Sequence, residues 1–119
     1  MAPDRLEAMV KAVVASLEDD KAEDIRVLDV SERSSYTDRI IIATGLAERQ
    51  LQAMATHLEE ALAKQGLKLK RSKVEASPDW VLIDAGDVVI HLFKPEARAT
   101  FDLEKLWAAE PAAGGGDPI

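Results

Sequence analysis

The feature that most constrains the fold is a pair of strand-like segments in the last third of the chain. Residues 80–84 and 87–94 are rich in β-branched and aromatic side chains, and only Ala85-Gly86 separates them. A connection this short predicts a two-residue hairpin turn. With this turn, the residues expected to face each other are Asp84 and Asp87, Leu82 and Val89, and Trp80 and His91.

Side chains alternate between the two faces of a strand, so the hairpin has two sides of different composition. One side is wholly aliphatic, and we expect it to face the main core. The other side mixes aromatic rings, a histidine and carboxylates, and it must therefore point away from that core. The aliphatic side holds Val81, Ile83, Val88, Ile90 and Leu92, and the mixed side holds Trp80, Leu82, Asp84, Asp87, Val89, His91 and Phe93.

Two interpretations of the mixed side stay open from these residues alone. In the first, the terminal helix folds back over the strands and buries Trp80 and Phe93, with the acids at the rim. In the second, the side remains open and offers aromatic anchors ringed by acids, as a protein-binding surface does. A metal site is disfavoured, because Asp87 and His91 would lie about 13 Å apart along one strand, too far to share an ion.

Apolar spacing predicts the other elements. Together they give the order α-β-β-α-β-β-β-α, which predicts an α/β protein with a mixed β-sheet flanked by helices. The predicted helices span residues 3 to about 19, about 47 to 64, and a last stretch from Pro95 with Leu103, Leu106 and Trp107 on one face; the further strands are residues 25–30, 40–43 and 67–70.

Charge and composition exclude several classes of function. The 119 residues fit one domain, expected over residues 1–109, and residues 110–119 are expected to form a disordered C-terminal tail. Without cysteine, the chain has no disulfides or thiolate metal sites. A net charge of -7 favours a basic protein partner over naked nucleic acid. No apolar run reaches the roughly 20 residues that span a bilayer, and no export signal is present, so we expect a cytoplasmic protein without membrane contact.

Short motifs in a fixed order resemble the ribosomal silencing factor family, also called the Iojap or RsfS family, over about residues 6–107. No single motif is diagnostic, but their order and spacing together are specific. The matching pieces are Leu28-Asp29-Val30-Ser31, Asp38 with Ile41-Ile42-Ala43-Thr44-Gly45, Glu48-Arg49-Gln50, Trp80-Val81-Leu82-Ile83-Asp84, Gly86-Asp87-Val88-Val89-Ile90-His91, Phe93, Pro95-Glu96-Ala97-Arg98, Asp102-Leu103-Glu104 and Leu106-Trp107.

The resemblance implies a nucleotidyltransferase-like fold and a protein that is not an enzyme and needs no cofactor. It implies binding to large-subunit ribosomal protein fourteen, which blocks association of the large ribosomal subunit with the small one and represses translation under nutrient limitation. Family members use the open face of the sheet, so the resemblance favours the open interpretation. The apolar residues of this face are also able to pair with the same residues of a second copy in a homodimer. The expected partner-binding residues are Trp80, Leu82, Asp84, Asp87, Val89, His91, Phe93 and Arg98, the last holding an acid or a carbonyl at the rim.

The chain also departs from the family pattern. Arg39 stands where an aromatic residue usually follows the motif aspartate, and Ala85 stands where a tyrosine is common, which removes one contact from the tip of the face. Leu46-Ala47 replaces the usual Thr or Ser before the second helix, at a cost of about 1 kcal/mol in capping. Thr44 is the expected substitute cap.

An enzyme is the first alternative function. Nucleotidyltransferases pair a Gly-Ser loop with an Asp-x-Asp motif on a strand, which aims two carboxylates at one Mg²⁺. Here Gly45 is followed by Leu46, and Asp84 and Asp87 flank a turn. We therefore predict no catalytic, metal-binding or cofactor-binding residue.

An rRNA-contacting ribosome assembly module is the second alternative. Its carrier would be the basic cluster within residues 64–73, which is unusual in an acidic chain. The competing interpretation, which the sequence favours, is that lysines protect an exposed sheet edge from aggregation. The cluster comprises Lys64, Lys68, Lys70, Arg71 and Lys73.

Overall fold

The computed structural model describes residues 3–108, with side chains as far as Leu106. The predicted tail at 110–119 and the side chain of Trp107 lie outside the described residues. A single 3-10 turn at Arg71–Lys73 precedes the third strand. The helices are α1 (Pro3–Asp19), α2 (Glu48–Lys64), α3 (Pro95–Phe101) and α4 (Leu103–Ala108), and the strands are β1 (Glu23–Asp29), β2 (Arg39–Thr44), β3 (Val74–Ala76), β4 (Trp80–Asp84) and β5 (Val88–Phe93).

The strands form one five-stranded sheet in the order β1-β2-β5-β4-β3. β2 and β5 are parallel, and the other neighbouring pairs are antiparallel. The chain reaches this parallel pairing by crossing from β2 through α2 and returning after the β4 hairpin strand. The predicted mixed sheet flanked by helices is confirmed.

The main core lies between the sheet and the two long helices. Apolar residues at steps of three and four line the inner faces of α1 and α2, as periodicity predicts. The aliphatic side of the hairpin meets them, and each of its members is at most 1% exposed. The core-facing strand residues are Ile41, Ala43, Val81, Ile83, Val88, Ile90 and Leu92.

A smaller apolar cluster lies on the opposite face, beneath α3 and α4. Its fully buried members come from the loop after β1 and from β2 and β5, and the partly buried ones include residues of both short helices. Burial on both faces explains the unbroken apolar run of β2, since alternate residues enter different clusters. The buried members are Val30, Ile40, Ile42 and Phe93, and Leu28, Trp80, Ala97 and Leu103 pack against them.

The final helix is two helices, where one was predicted. Asp102 adopts a left-handed conformation with φ 48° and ψ 48°, and this ends α3 before α4 begins at Leu103. Aspartate tolerates this region better than most residues. The break sends α4 towards β1 and closes the smaller cluster.

The predicted partners across the hairpin were wrong by two positions. Trp80 lies opposite Phe93, and Asp84 lies opposite Val89. The hydrogen bond from the N–H of Ala85 to the carbonyl of Val88 makes Gly86 and Asp87 the turn residues. Gly86 adopts a φ of +82°, which suits the first position of a tight hairpin turn. A shift of two positions preserves the alternation, so every residue stays on its predicted face.

The strand predicted at residues 67–70 was also wrong. This stretch pairs with no strand, and the edge strand is β3, which begins only after the 3-10 turn. Leu67 and Leu69 are partly buried against the main core. The alternation of this stretch therefore reflects one-sided burial without strand pairing.

The start of α2 is organised differently from the prediction. Ala47 occupies the cap position without a side-chain hydrogen bond. Thr44 does not act as the cap, since its hydroxyl accepts a hydrogen bond from Arg98 at 2.7 Å. Gln50 instead accepts the N–H of Leu46 at 2.8 Å, which satisfies one donor just before the helix.

Candidate protein-binding surface

Four rings from β4, β5 and α3 stack on the sheet face opposite α1 and α2, and we call His91, Trp80, Phe93 and Phe101 the aromatic stack. The centroid of Trp80 lies 5.8 Å from that of His91 and 5.6 Å from that of Phe93, with the ring planes nearly parallel. Phe101, at the end of α3, lies 4.8 Å from Trp80 in a tilted arrangement. Phe93 also stacks on Phe101, at 5.5 Å, so rings from both strands contact the helix.

The members of the aromatic stack differ in exposure. Phe93 is 1% exposed and Phe101 is 49% exposed, whereas Trp80 and His91 are partly buried. The terminal helix therefore covers part of the mixed side, as the first interpretation held, and leaves part of it open, as the second held. Trp80 and Phe101 supply the accessible aromatic area, and Phe93 supports them from below.

A hydrogen bond orders the accessible end of the aromatic stack. The indole Nε1 of Trp80 donates to Nδ1 of His91 at 3.2 Å. Burial lowers the pKa of His91 to about 4, so the imidazole is neutral at neutral pH and keeps its acceptor. The orientation of Trp80 is fixed from within the chain.

Two depressions flank Trp80. One has a volume of about 230 Å³ and lies between the indole and the edge strand, where Glu75 and Leu82 contribute to its wall. The other, of about 370 Å³, lies between the indole and α3, and Asp79, Glu96 and Phe101 line it. An apolar centre with carboxylates around it suits a partner that brings apolar and cationic side chains.

The other end of the hairpin contributes less apolar surface. Asp84 accepts the N–H of Gly86 at 2.9 Å and lies 3.8 Å from Nζ of Lys73. The backbone carbonyl of Asp87 accepts the N–H groups of Asp38 and Arg39, which ties the turn to β2. Val89 is 9% exposed. Of the residues predicted from the sequence, the structure brings Trp80, Leu82, His91 and Phe93 together and places Asp84 and Asp87 at the turn end of the hairpin.

Arg98 makes its contacts inside the chain. It is 9% exposed, and its guanidinium forms a paired hydrogen bond with Glu104 at 2.9 and 3.0 Å. The third guanidinium nitrogen donates to the carbonyl of Asp24 and to the hydroxyl of Thr44. Arg98 therefore holds α3 and α4 against β1 and β2. Its burial disfavours the partner contact that was predicted for it.

The sequence interpretation missed several residues of this surface. Phe101 lies outside the strands, so strand alternation does not place it. The spacing after Pro95 also does not indicate that its ring contacts Trp80. Glu75 was hidden because the edge strand was assigned to residues 67–70. Asp79 and Glu96 precede and follow the hairpin, and their proximity to Trp80 depends on the docking of α3.

The described part of the chain gives two further findings. Among residues 3–108, no three His, Asp or Glu side chains are grouped in a way that could hold a metal ion. None of the described helices combines the length and apolarity that crossing a membrane requires.

The fold and this surface define a small mixed-sheet α/β domain with an acid-rimmed aromatic face. The family model described as ribosomal silencing factor during starvation matches residues 3–117, and the chain belongs to this family. The resemblance seen in the motifs is thereby confirmed.

Individual relatives agree with the family assignment. The ribosomal silencing factor RsfS of Zymomonas mobilis is 43% identical over 104 residues, which cover 85% of this chain and 76% of that protein. A mouse protein named mitochondrial assembly of ribosomal large subunit protein 1 is 37% identical over 103 residues, 82% of this chain and 44% of its own length. A crystal structure from Chromobacterium violaceum superimposes with a TM-score of 0.76 at 35% identity, covering 94% of this chain and 96% of the other.

Proposed function

We propose that this protein binds the large ribosomal subunit through large-subunit ribosomal protein fourteen and prevents the small subunit from joining. Translation would then be repressed when nutrients are limiting. Membership of the ribosomal silencing factor family supports this function, and the mouse relative is named for assembly of the mitochondrial large subunit. The observation that carries the proposal is the fixed, partly buried Trp80 between two depressions.

The chemistry of the surface supports a basic protein as the partner. Binding energy at protein interfaces concentrates in buried aromatic anchors, and Trp is among the most frequent. The carboxylates around Trp80 and the net charge of -7 favour approach to a cationic surface. A contact of standard size would bury on the order of 800 Å² on each partner.

The proposed mechanism is steric exclusion and requires no chemical step. One protein molecule occupies one site on the large subunit and covers a surface that the small subunit needs. Repression therefore follows the fraction of large subunits that are occupied. An excess of small subunits would displace the protein only if both bind overlapping surfaces of the large subunit.

Sedimentation of ribosomal subunits with added protein tests this function. We expect the protein to migrate with large subunits and not with small ones, and we expect joined ribosomes to decrease. Trp80→Ala should weaken binding by about 2 kcal/mol, or about thirtyfold, because it removes the central anchor. Direct binding to purified ribosomal protein fourteen identifies the partner.

Two further variants separate binding from folding. Val27→Ala is the matched control, because Val27 is an exposed apolar residue on the opposite edge strand. Glu75→Lys alters an exposed residue of the rim without removing a packed ring, and we expect it to weaken binding. Unchanged affinity for folded Trp80→Ala and Glu75→Lys proteins would contradict the assignment of this surface.

A further inference from the structure

The connection between α2 and β3 carries an unusual charge. Residues 64–73, which we call the basic segment, contain five cations and no acid, although the whole chain has a net charge of -7. All five cationic side chains are exposed. Leu67 and Leu69 turn inward against the core, so the intervening Lys68 and the following Lys70 point into solvent.

Protection of a sheet edge does not account for this charge. The edge strand is Val74–Ala76, and the only charged residue within it is Glu75. Lys68 and Lys70 lie in the non-strand stretch before the 3-10 turn, where there is no unpaired strand edge to protect. The arrangement expected for edge protection is therefore absent from the described strands.

Most of this positive charge also has no ion-pair partner in the part of the chain that the structure describes. Among the described residues, Lys64, Lys68, Lys70 and Arg71 form no ion pair, and Lys73 lies 3.8 Å from Asp84 with both side chains about half exposed. The guanidinium of Arg5 adds to this patch, since it donates to the carbonyl of Gln65 at 3.3 Å. A cationic patch of this kind is available to an external anion.

We propose that the basic segment contacts phosphates of RNA beside the protein-binding surface. Phosphate contacts require exposed, weakly constrained cations and no apolar anchor, which matches the segment. Its leucines face inward, so it offers no apolar side chains for insertion into a membrane or for a protein hot spot. The choice of RNA among polyanions rests on the proposed ribosomal function.

The position of the basic segment allows both contacts at once. The segment leads directly into β3, which pairs with β4, the strand that begins with Trp80. Lys73 reaches Asp84, which lies on the same face of β4 as Trp80. A large particle that presents protein and RNA side by side can therefore touch the aromatic stack and the basic segment simultaneously.

Salt dependence provides the first test. Each phosphate contact steepens the dependence of binding on salt, so Lys68→Ala with Lys70→Ala should reduce the slope of log affinity against log salt by about 2. Affinity for large subunits should fall about tenfold or more at low salt. Lys11→Ala with Lys105→Ala is the matched control, since both lysines are exposed on other elements and the net charge changes equally.

Photo-crosslinking provides the second test. With benzoylphenylalanine in place of Lys68, irradiated complexes with large subunits should give adducts with rRNA, and the same group in place of Lys11 should not. Adducts with ribosomal proteins alone would overturn the inference, as would equal salt slopes for the two double variants. Binding of anionic phosphatidylglycerol vesicles that depends on Lys68 and Lys70, without rRNA adducts, would assign the segment to membranes and also overturn it.

The tests distinguish this inference from the proposed function. If Trp80→Ala abolishes binding while the basic-segment variants behave as wild type, the protein contact stands and the RNA contact fails. If the protein does not bind large subunits at all, the proposed function fails. In that case, filter binding to protein-free large-subunit rRNA decides the inference: loss of binding in the Lys68 and Lys70 variant supports it, and no binding by wild type overturns it.

Discussion

The indole N–H of Trp80 donates to Nδ1 of His91, and the two rings stack at an interplanar angle of 13°. The bond requires that Nδ1 carry no proton, so neutral His91 holds its proton on Nε2. Burial supports the same state by lowering the pKa of His91 to about 4. One interaction therefore couples the central ring of the aromatic stack to the protonation of a histidine.

This coupling predicts a loss of stability in mild acid. In the unfolded chain His91 takes up a proton near pH 6.5, whereas in the folded protein it does so only near pH 4. The contribution of neutral His91 is thus complete above pH 6.5 and is lost as the pH falls from 6.5 to 4. We expect the free energy of unfolding to decrease by about 2 kcal/mol between pH 7 and 5, measured by urea denaturation. His91→Gln keeps an acceptor for the indole but cannot titrate, and an equally steep decrease in this variant would refute the assignment.

His57 should show the opposite behaviour. Its Nδ1 lies 2.7 Å from a carboxylate oxygen of Asp20, and this hydrogen bond raises the pKa of His57 above its ordinary value of 6.5. Any stabilisation from the pair is present below pH 6.5 and is lost as the pH rises through the raised pKa. Titration by NMR should give a value above 6.5 for His57 and near 4 for His91. Asp20→Asn should lower the pKa of His57 towards its ordinary value and leave that of His91 unchanged.

Arg98→Lys should destabilise the protein although it conserves the charge. An ammonium group cannot hold both oxygens of Glu104 while it also reaches the carbonyl of Asp24 and the hydroxyl of Thr44. We expect a loss of about 2 kcal/mol in unfolding free energy, since buried groups are left with fewer bonds. Arg26→Lys is the control, because Arg26 is 60% exposed and its ion pair with Asp24 should contribute less than about 1 kcal/mol. Equal losses of unfolding free energy in the two variants would show that the buried hydrogen bonds of Arg98 do not contribute more than an exposed ion pair.

Ala47→Ser should stabilise the protein. Ala47 has an extended backbone at the start of α2, and no side chain accepts a hydrogen bond from the first turn at this position. Serine can accept one of these N–H groups, and the expected gain is about 1 kcal/mol. Thermal denaturation measures the effect, with Ala53→Ser within the same helix as the control that should give no gain. A decrease in melting temperature for Ala47→Ser would show that a serine at this position does not cap α2.

Gly86→Ala should cost roughly 1 kcal/mol in unfolding free energy. No atom lies within 4 Å of the position that a Cβ would take, so the expected cost comes from the positive φ and not from a clash. Gly86→Asn should lose less, because asparagine tolerates positive φ better than alanine. If both variants retained full stability by urea denaturation, the tight turn would not depend on glycine.

The sequence was sufficient to place residues on faces, although it misplaced the partners across the hairpin. Alternation depends only on whether a residue number is odd or even. Moving the turn by one position, from Ala85-Gly86 to Gly86-Asp87, shifts the partners across the hairpin by two, which left Trp80 and His91 on the predicted side. Choosing between the two turns requires the backbone of Gly86, which no local pattern determines.

Contacts between distant parts of the chain could not be predicted in this way. Arg98 bonds to the carbonyl of Asp24, a residue 74 positions earlier, and these bonds fix the course of α3 and α4. The exposure of the aromatic stack follows from that course, since Phe101 and the break at Asp102 decide how far the helices cover Trp80. The alternation of residues 67–70 misled the strand assignment because burial of alternate side chains does not require a paired neighbour.

The strand β5 is the last of the five along the chain, and within the described sheet it hydrogen-bonds to both β2 and β4. A nascent chain that still lacks Val88–Phe93 can pair β1 with β2 and β3 with β4, but no strand yet hydrogen-bonds the two pairs into one sheet. The five-stranded sheet, and with it the surface around Trp80, is therefore complete only once β5 has been added.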